Sequence, residues 1–128
     1  MNDIKNPLSP HLQIYRWHIS SLLSITHRIS GIINLLGLIL IFFWLLVLNL
    51  GESNYELFLL LINSFFGKFV LIGFTWSMSF HILSGIRHLA WDFGYGFEIK
   101  TANISGIIVV VSSLVLTIIF WLLARGLI

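Results

Sequence analysis

The stretch SFHILSGIRHLAWDF, residues 79–93, sets two histidines, an arginine and an aspartate at the end of a long apolar run. Imidazole, guanidinium and carboxylate in such surroundings suit few tasks: ligating a metal ion, holding an anionic group, or moving protons. On a helical wheel Gly73, Ser77, His81, Ser84, Gly85 and His88 fall in one stripe. Small residues one turn either side of His81 open a flat notch, which admits either a neighbouring helix or a planar cofactor. A neutral imidazole in that notch is a good axial ligand for haem iron, and His81 is the candidate metal ligand. It lies roughly 10 Å deeper along the helix than His88, at about 1.5 Å per residue, inside the hydrocarbon region where ionisable side chains are rare. A hydrogen bond to another helix is the competing role for the same histidine. His81 and His88 share one helix face and cannot bind opposite sides of one iron. His27 is a shallower candidate, and a partner chain is the simpler source of a second ligand.

A second constellation lies in SITHRISG, where Ser24, His27, Arg28 and Gly31 stand at i, i+3, i+4 and i+7 on one helix face. A guanidinium there can clamp a propionate or hydrogen-bond a quinone carbonyl, with the Ser24 hydroxyl beside it. An arginine near a helix end also snorkels to headgroups and sets topology. In IRHLAWDFGYG, Trp91 and Tyr95 read as interfacial anchors. Asp92 has three available roles: a surface ion pair, orientation of Arg87 or His88, or proton exchange near a quinone.

The elements that position these residues follow from composition. Charged residues make up 9% of the 128-residue chain and apolar ones 58%, against roughly 25% charged residues in soluble domains. This is the composition of an all-α integral membrane protein, with little room for an independent soluble catalytic domain. The absence of cysteine excludes disulfides, iron–sulfur ligation by this chain and thiol chemistry. A formal charge of +2 makes no basic stripe for nucleic acid.

Residues 1–22 read as a polar, interfacial N-terminal arm, with Tyr15 and Trp17 at headgroup depth. Three transmembrane spans are expected at about 24–50, 66–90 and 104–124, making residues 23–128 a three-helix anchor. LFLLLINSFF is either an interfacial lead-in to the second span or an early turn of its helix. Lys5, Arg16, Arg28, Arg87 and Lys100 stand on one side of the membrane, against Lys68 and Arg125 on the other. Five against two predicts the N-terminus inside and the C-terminus outside, which gathers the chemistry-bearing residues on the inner side. No Arg-rich transit segment or cleavable signal is evident, which favours a bacterial inner membrane over a mitochondrial one.

NPLSPHLQIY, SITHRISG and HILSGIRHLAWDFGYG, in that order and spacing, resemble the signature stretches of the cytochrome b membrane-anchor subunits of succinate dehydrogenase, respiratory complex II. The resemblance covers nearly the whole chain, and the SxxHR and HxxxGxRHxxxD motifs are highly specific in combination. One departure is Asn6, where those relatives usually carry arginine before the proline.

The resemblance implies half of a heterodimeric anchor. Its haem b is ligated by His81 and by a second small membrane-anchor subunit, with Gly85 against the porphyrin and His27 and Arg28 near the propionates. His88, in the same motif, joins the cofactor-binding set. Ser24 and Arg28 match a ubiquinone pocket completed by the iron–sulfur subunit and the partner anchor, with Asp92 and Arg87 nearby. Succinate is oxidised on a flavoprotein subunit, so no residue of this chain is catalytic for that step. Two alternatives stay open at this point: the anchor of a quinol-oxidising fumarate reductase, and a haem-free structural anchor. A channel or transporter fits poorly, because there are no paired broken helices or polar pore stripe.

Overall fold

The computed structural model describes residues 17–127. Tyr15 and residues 1–16 of the expected arm lie outside the described residues. Four helices follow one another: α1 (Ile19–Asn49), α2 (Glu52–Asn63), α3 (Phe65–Asp92) and α4 (Ile99–Leu127). Three of them, Ile19–Asn49, Phe65–Asp92 and Ile99–Arg125, are long and apolar enough to cross a membrane. The expected spans 66–90 and 104–124 lie within α3 and α4, and 24–50 runs one residue past the end of α1. The helices are longer at most ends, and residues 19–22, assigned to the arm, form the first turn of α1.

The fourth helix is the short α2, which adds to the three expected spans without changing their number. The chain breaks at Ser64, whose backbone (φ −61°, ψ 161°) ends α2 and starts α3. Its hydroxyl donates to Leu61 O at 2.6 Å and accepts from Gly67 N–H at 3.0 Å, so one side chain serves both helix ends. Gly67 is required by crowding, since a Cβ there would collide with the carbonyl oxygens of Leu61 and Ile62. LFLLLINSFF is therefore mostly a separate helix before the span.

α3 packs against both α1 and α4, while α1 and α4 touch each other less extensively. The apolar core is small: Leu23, Phe80 and Val109, with Trp76, Leu83 and Val110 against them. Hydroxyls fill much of the remaining interface, including buried Ser30, Ser77, Ser79, Ser84, Ser113 and Thr117. Small side chains let helices approach closely without the aqueous hydrophobic effect, which is absent between helices in lipid. Several of these hydroxyls return to their own helix backbone: Ser79 to Thr75 O, Ser113 to Val110 O, and Thr117 to Ser113 O. That leaves few polar groups needing water.

The large apolar side chains face outward, as lipid permits and water does not. No residue in the most apolar stretch of α1 is buried within the chain. Leu23 of α1 lies against Gly106 of α4, while His27 of α1 meets His81 and His88 of α3. The start of α1, the end of α3 and the start of α4 thus share one end of the bundle. There the chain turns through Phe93 and Gly94–Gly96, closed by Gly94 N–H to Trp91 O at 2.8 Å and Tyr95 N–H to Ala90 O at 3.0 Å.

Candidate cofactor site

The site is a cluster of imidazoles between α1 and α3. His27 stacks on His81 with centroids 4.0 Å apart and planes 8° from parallel. Its ring also lies 5.1 Å from that of His88, so one side chain of α1 bridges two histidines of α3. The 10 Å separation of His81 and His88 along their helix is filled from the facing helix, which no wheel of α3 alone discloses.

His81 is half-buried, and its contacts set its chemistry. Nδ1 lies 2.9 Å from Ser30 Oγ and 3.2 Å from His27 O. The carbonyl can only accept, so Nδ1 carries the proton and Nε2 carries the lone pair. Nε2 makes no hydrogen bond among the described residues. One turn after it, a Cβ added to Gly85 would meet nothing within 4 Å, so the notch is open on that side of the histidine, while Ser77, one turn before it, is buried against α1 and donates to Ser30 O at 3.1 Å. A half-buried imidazole with Nδ1 engaged, Nε2 without a hydrogen bond and an open surface at Gly85 fits a haem ligand. His27 does not complete the pair: parallel stacked rings at 4.0 Å present faces to each other, leaving no place for an iron between opposed nitrogens. Among the described residues no group of three or more His, Cys, Asp or Glu side chains could hold a metal ion.

The remaining predicted residues divide into two groups. His27, Gly31, His81 and His88 come together; Ser24 is half-exposed at the edge, while Arg28 and Asp92 are exposed. Arg28 and Ser24 form no hydrogen bond and no ion pair among the described residues. His88 Nδ1 donates to Ser84 O at 2.7 Å. Asp92 pairs with neither Arg87 nor His88, and no ion pair forms among the described residues. Arg87 is buried and turns to α4, donating from Nε to Ser105 Oγ at 3.0 Å and from Nη2 to Ala102 O at 2.8 Å. Its guanidinium carbon also lies 4.1 Å from the centre of the Trp91 ring. Trp91, expected only as an anchor, additionally donates from Nε1 to Gly96 O at 3.3 Å.

Sequence reasoning missed Ser30. It stands three residues after His27, inside the same motif, and that spacing was the available signal. Among the described residues three buried polar atoms have no partner: His27 Nδ1, Trp76 Nε1 and Ser84 Oγ. Near the same end of the bundle is an open groove of about 530 Å³, lined by His18, Ser21, Trp91, Phe97 and Asn103 among others. None of Ser24, Arg28 and Asp92 lines it.

Three helices long and apolar enough to cross a membrane, with a histidine cluster between α1 and α3, define an all-α integral membrane protein. Residues 2–120 match the family described as succinate dehydrogenase/fumarate reductase transmembrane subunit, and the chain belongs to that family. It is 46% identical over 117 residues to the succinate dehydrogenase cytochrome b556 subunit of Rickettsia prowazekii (strain Madrid E), covering 91% of each chain. It is 36% identical over 118 residues to the cytochrome b556 subunit of Paracoccus denitrificans, covering 92% of this chain and 91% of that one. Over 128 residues it is 37% identical to the cytochrome b560 subunit of Reclinomonas americana, covering 94% and 88% respectively.

Proposed function

We propose that the chain is a membrane anchor of a succinate:quinone oxidoreductase, holding haem b through His81 Nε2 and forming part of a ubiquinone site with Ser24, Arg28 and Asp92. The observation that carries the reading is the geometry at His81: its Nδ1 is engaged, its Nε2 makes no hydrogen bond among the described residues, and the helix surface at Gly85, one turn on, is open. The names of the relatives, all succinate dehydrogenase cytochrome b subunits, support the same role and favour it over a quinol-oxidising fumarate reductase.

A second ligand to the iron would come from a second small anchor subunit, since His27 is stacked on His81. The lipid-facing surface of α1 leaves area for such a neighbour. Gly85 gives a flat approach for a porphyrin. His27 and Arg28 lie at the shallower end of the cluster and would hold the propionates, which need solvation and positive charge. His88 completes the cofactor-binding set at that end. Haem b, when bound, supplies a one-electron redox centre.

For the quinone, the exposed Arg28 guanidinium donates hydrogen bonds to a carbonyl oxygen and stabilises negative charge as electrons arrive. Ser24, one turn before Arg28, adds a hydroxyl. Asp92, unpaired and exposed, is placed to exchange protons with the aqueous side. Succinate chemistry belongs to the flavoprotein, with the iron–sulfur subunit carrying electrons to this end of the bundle. The bias of Lys and Arg supports an inner-side position for that end, and the bacterial relatives support a cytoplasmic membrane.

The test is a dithionite-reduced minus oxidised spectrum of the affinity-purified complex, wild type and His81→Ala. A b-type signal in the wild type that is lost or strongly changed by His81→Ala supports the assignment. An unchanged b-type spectrum in His81→Ala overturns it.

A further inference from the structure

We propose that Ser30 is a positioning residue for His81: it accepts the Nδ1 proton of the imidazole, fixes the tautomer that leaves Nε2 free, and so tunes an iron bound there. The inference rests on His81 as the haem ligand and adds a residue outside that assignment.

The hydrogen bookkeeping around Ser30 leaves one arrangement. A serine hydroxyl has a single proton, and Ser30 places it on His27 O at 2.7 Å. The 2.9 Å contact between Ser30 Oγ and His81 Nδ1 must then use the proton of the ring. His27 O, 3.2 Å from the same nitrogen, is a second acceptor and demands the same tautomer. Both acceptors belong to one turn of α1, and they approach the ring from its Nδ1 edge.

The same turn also restricts rotation of the ring. The His27 imidazole covers one face of His81 at 4.0 Å. At the edge stands Gly31, where a Cβ would come within 3.3 Å of His81 Cε1, closer than ordinary van der Waals contact. Ser30 itself is only 1% exposed, and its carbonyl accepts from Ser77 Oγ at 3.1 Å, one turn before His81 on α3. Side chain and backbone of Ser30 are thus tied to the same stretch of α3, so the hydroxyl cannot drift from the imidazole it serves.

A hydrogen bond accepted from the distal nitrogen of a ligating imidazole increases the basicity of the metal-bound nitrogen. A more basic ligand favours the ferric state and lowers the reduction potential, and such bonding is one of the protein's levers on haem. Packing alone would not require the hydroxyl: alanine fills nearly the same space. Because His27 O remains as a weaker acceptor, loss of the hydroxyl relaxes the ligand without removing it.

The experiment uses the purified complex carrying Ser30→Ala, Ser30→Cys or Ser30→Thr, with His81→Ala alongside. Haem-to-flavin ratio reports loading, redox titration gives the haem midpoint potential, and low-temperature EPR of the ferric haem reports ring orientation. Ser30→Ala is expected to keep the haem, shift the midpoint potential upward and move the low-spin EPR signal. Ser30→Thr, which retains the hydroxyl, is expected to return both toward wild type. Should Ser30→Ala lose haem, Ser30→Cys decides, because a thiol keeps the bulk and accepts poorly. Haem-loaded Ser30→Ala or Ser30→Cys complexes with wild-type potential and EPR overturn the role of Ser30 alone. A wild-type haem spectrum in His81→Ala overturns the ligand assignment on which it rests.

Discussion

Arg87→Met is the substitution whose cost follows most directly from the geometry. The buried guanidinium makes two hydrogen bonds to α4, to Ser105 Oγ at 3.0 Å and Ala102 O at 2.8 Å, and lies over Trp91. In water-soluble proteins a hydrogen bond to a charged group contributes about 1.5–3 kcal/mol. A desolvated cation–π contact adds about 2 kcal/mol. The reference state in a membrane finds partners of its own, which lowers a typical interhelical hydrogen bond to about 0.6 kcal/mol and the strongest to about 1.7 kcal/mol. Methionine fills much of the volume, and Ser105 Oγ keeps its bond to Ala102 O at 3.1 Å, so no hydroxyl is stranded on α4. The expected net loss is about 1–3 kcal/mol. Arg87→Lys is expected to recover little of it, because an ammonium cannot span both acceptors while lying flat on an indole. The assay is equilibrium unfolding of the purified complex in mixed micelles of increasing SDS fraction, followed by tryptophan fluorescence. An Arg87→Met complex within about 0.5 kcal/mol of wild type, below the expected range from interhelical bonding, would refute the reasoning, as would full recovery by lysine.

Other perturbations separate the site from the scaffold. Ser24→Ala and Arg28→Ala are expected to lower quinone reduction, by at least tenfold for Arg28 if the guanidinium contributes about 1.4 kcal/mol or more to the transition state; succinate oxidation with an artificial dye should persist, and equal loss in both assays points to failed assembly. Gly85→Leu places a side chain where this chain offers no obstruction, so the complex should assemble with a reduced haem-to-flavin ratio; a full complement of haem refutes the porphyrin approach at Gly85. Ser64→Ala removes the hydroxyl that serves both α2 and α3 and should cost about 1 kcal/mol, the usual value of a helix N-cap, read by the same SDS titration. No change there would mean that the break depends on Gly67 alone.

Much of this protein was legible along the chain. Span length, apolar composition and the placement of lysine and arginine are one-dimensional properties, because lipid sets the number of apolar residues a helix needs whatever packs beside it. The stripe of small residues on the helix face of His81 follows from helical periodicity in the same way. What the chain could not disclose was rotation of one helix against another. Packing turned Arg87 toward α4 and Trp91, away from an aspartate five residues along. It also laid His27 between His81 and His88, and brought Ser30 onto the imidazole edge. Ser30 and His81 are 51 residues apart, so no local pattern links them. A wheel gives the angle between residues of one helix, whereas the contact across two helices depends on how small residues such as Ser30, Gly31 and Ser77 allow their backbones to close.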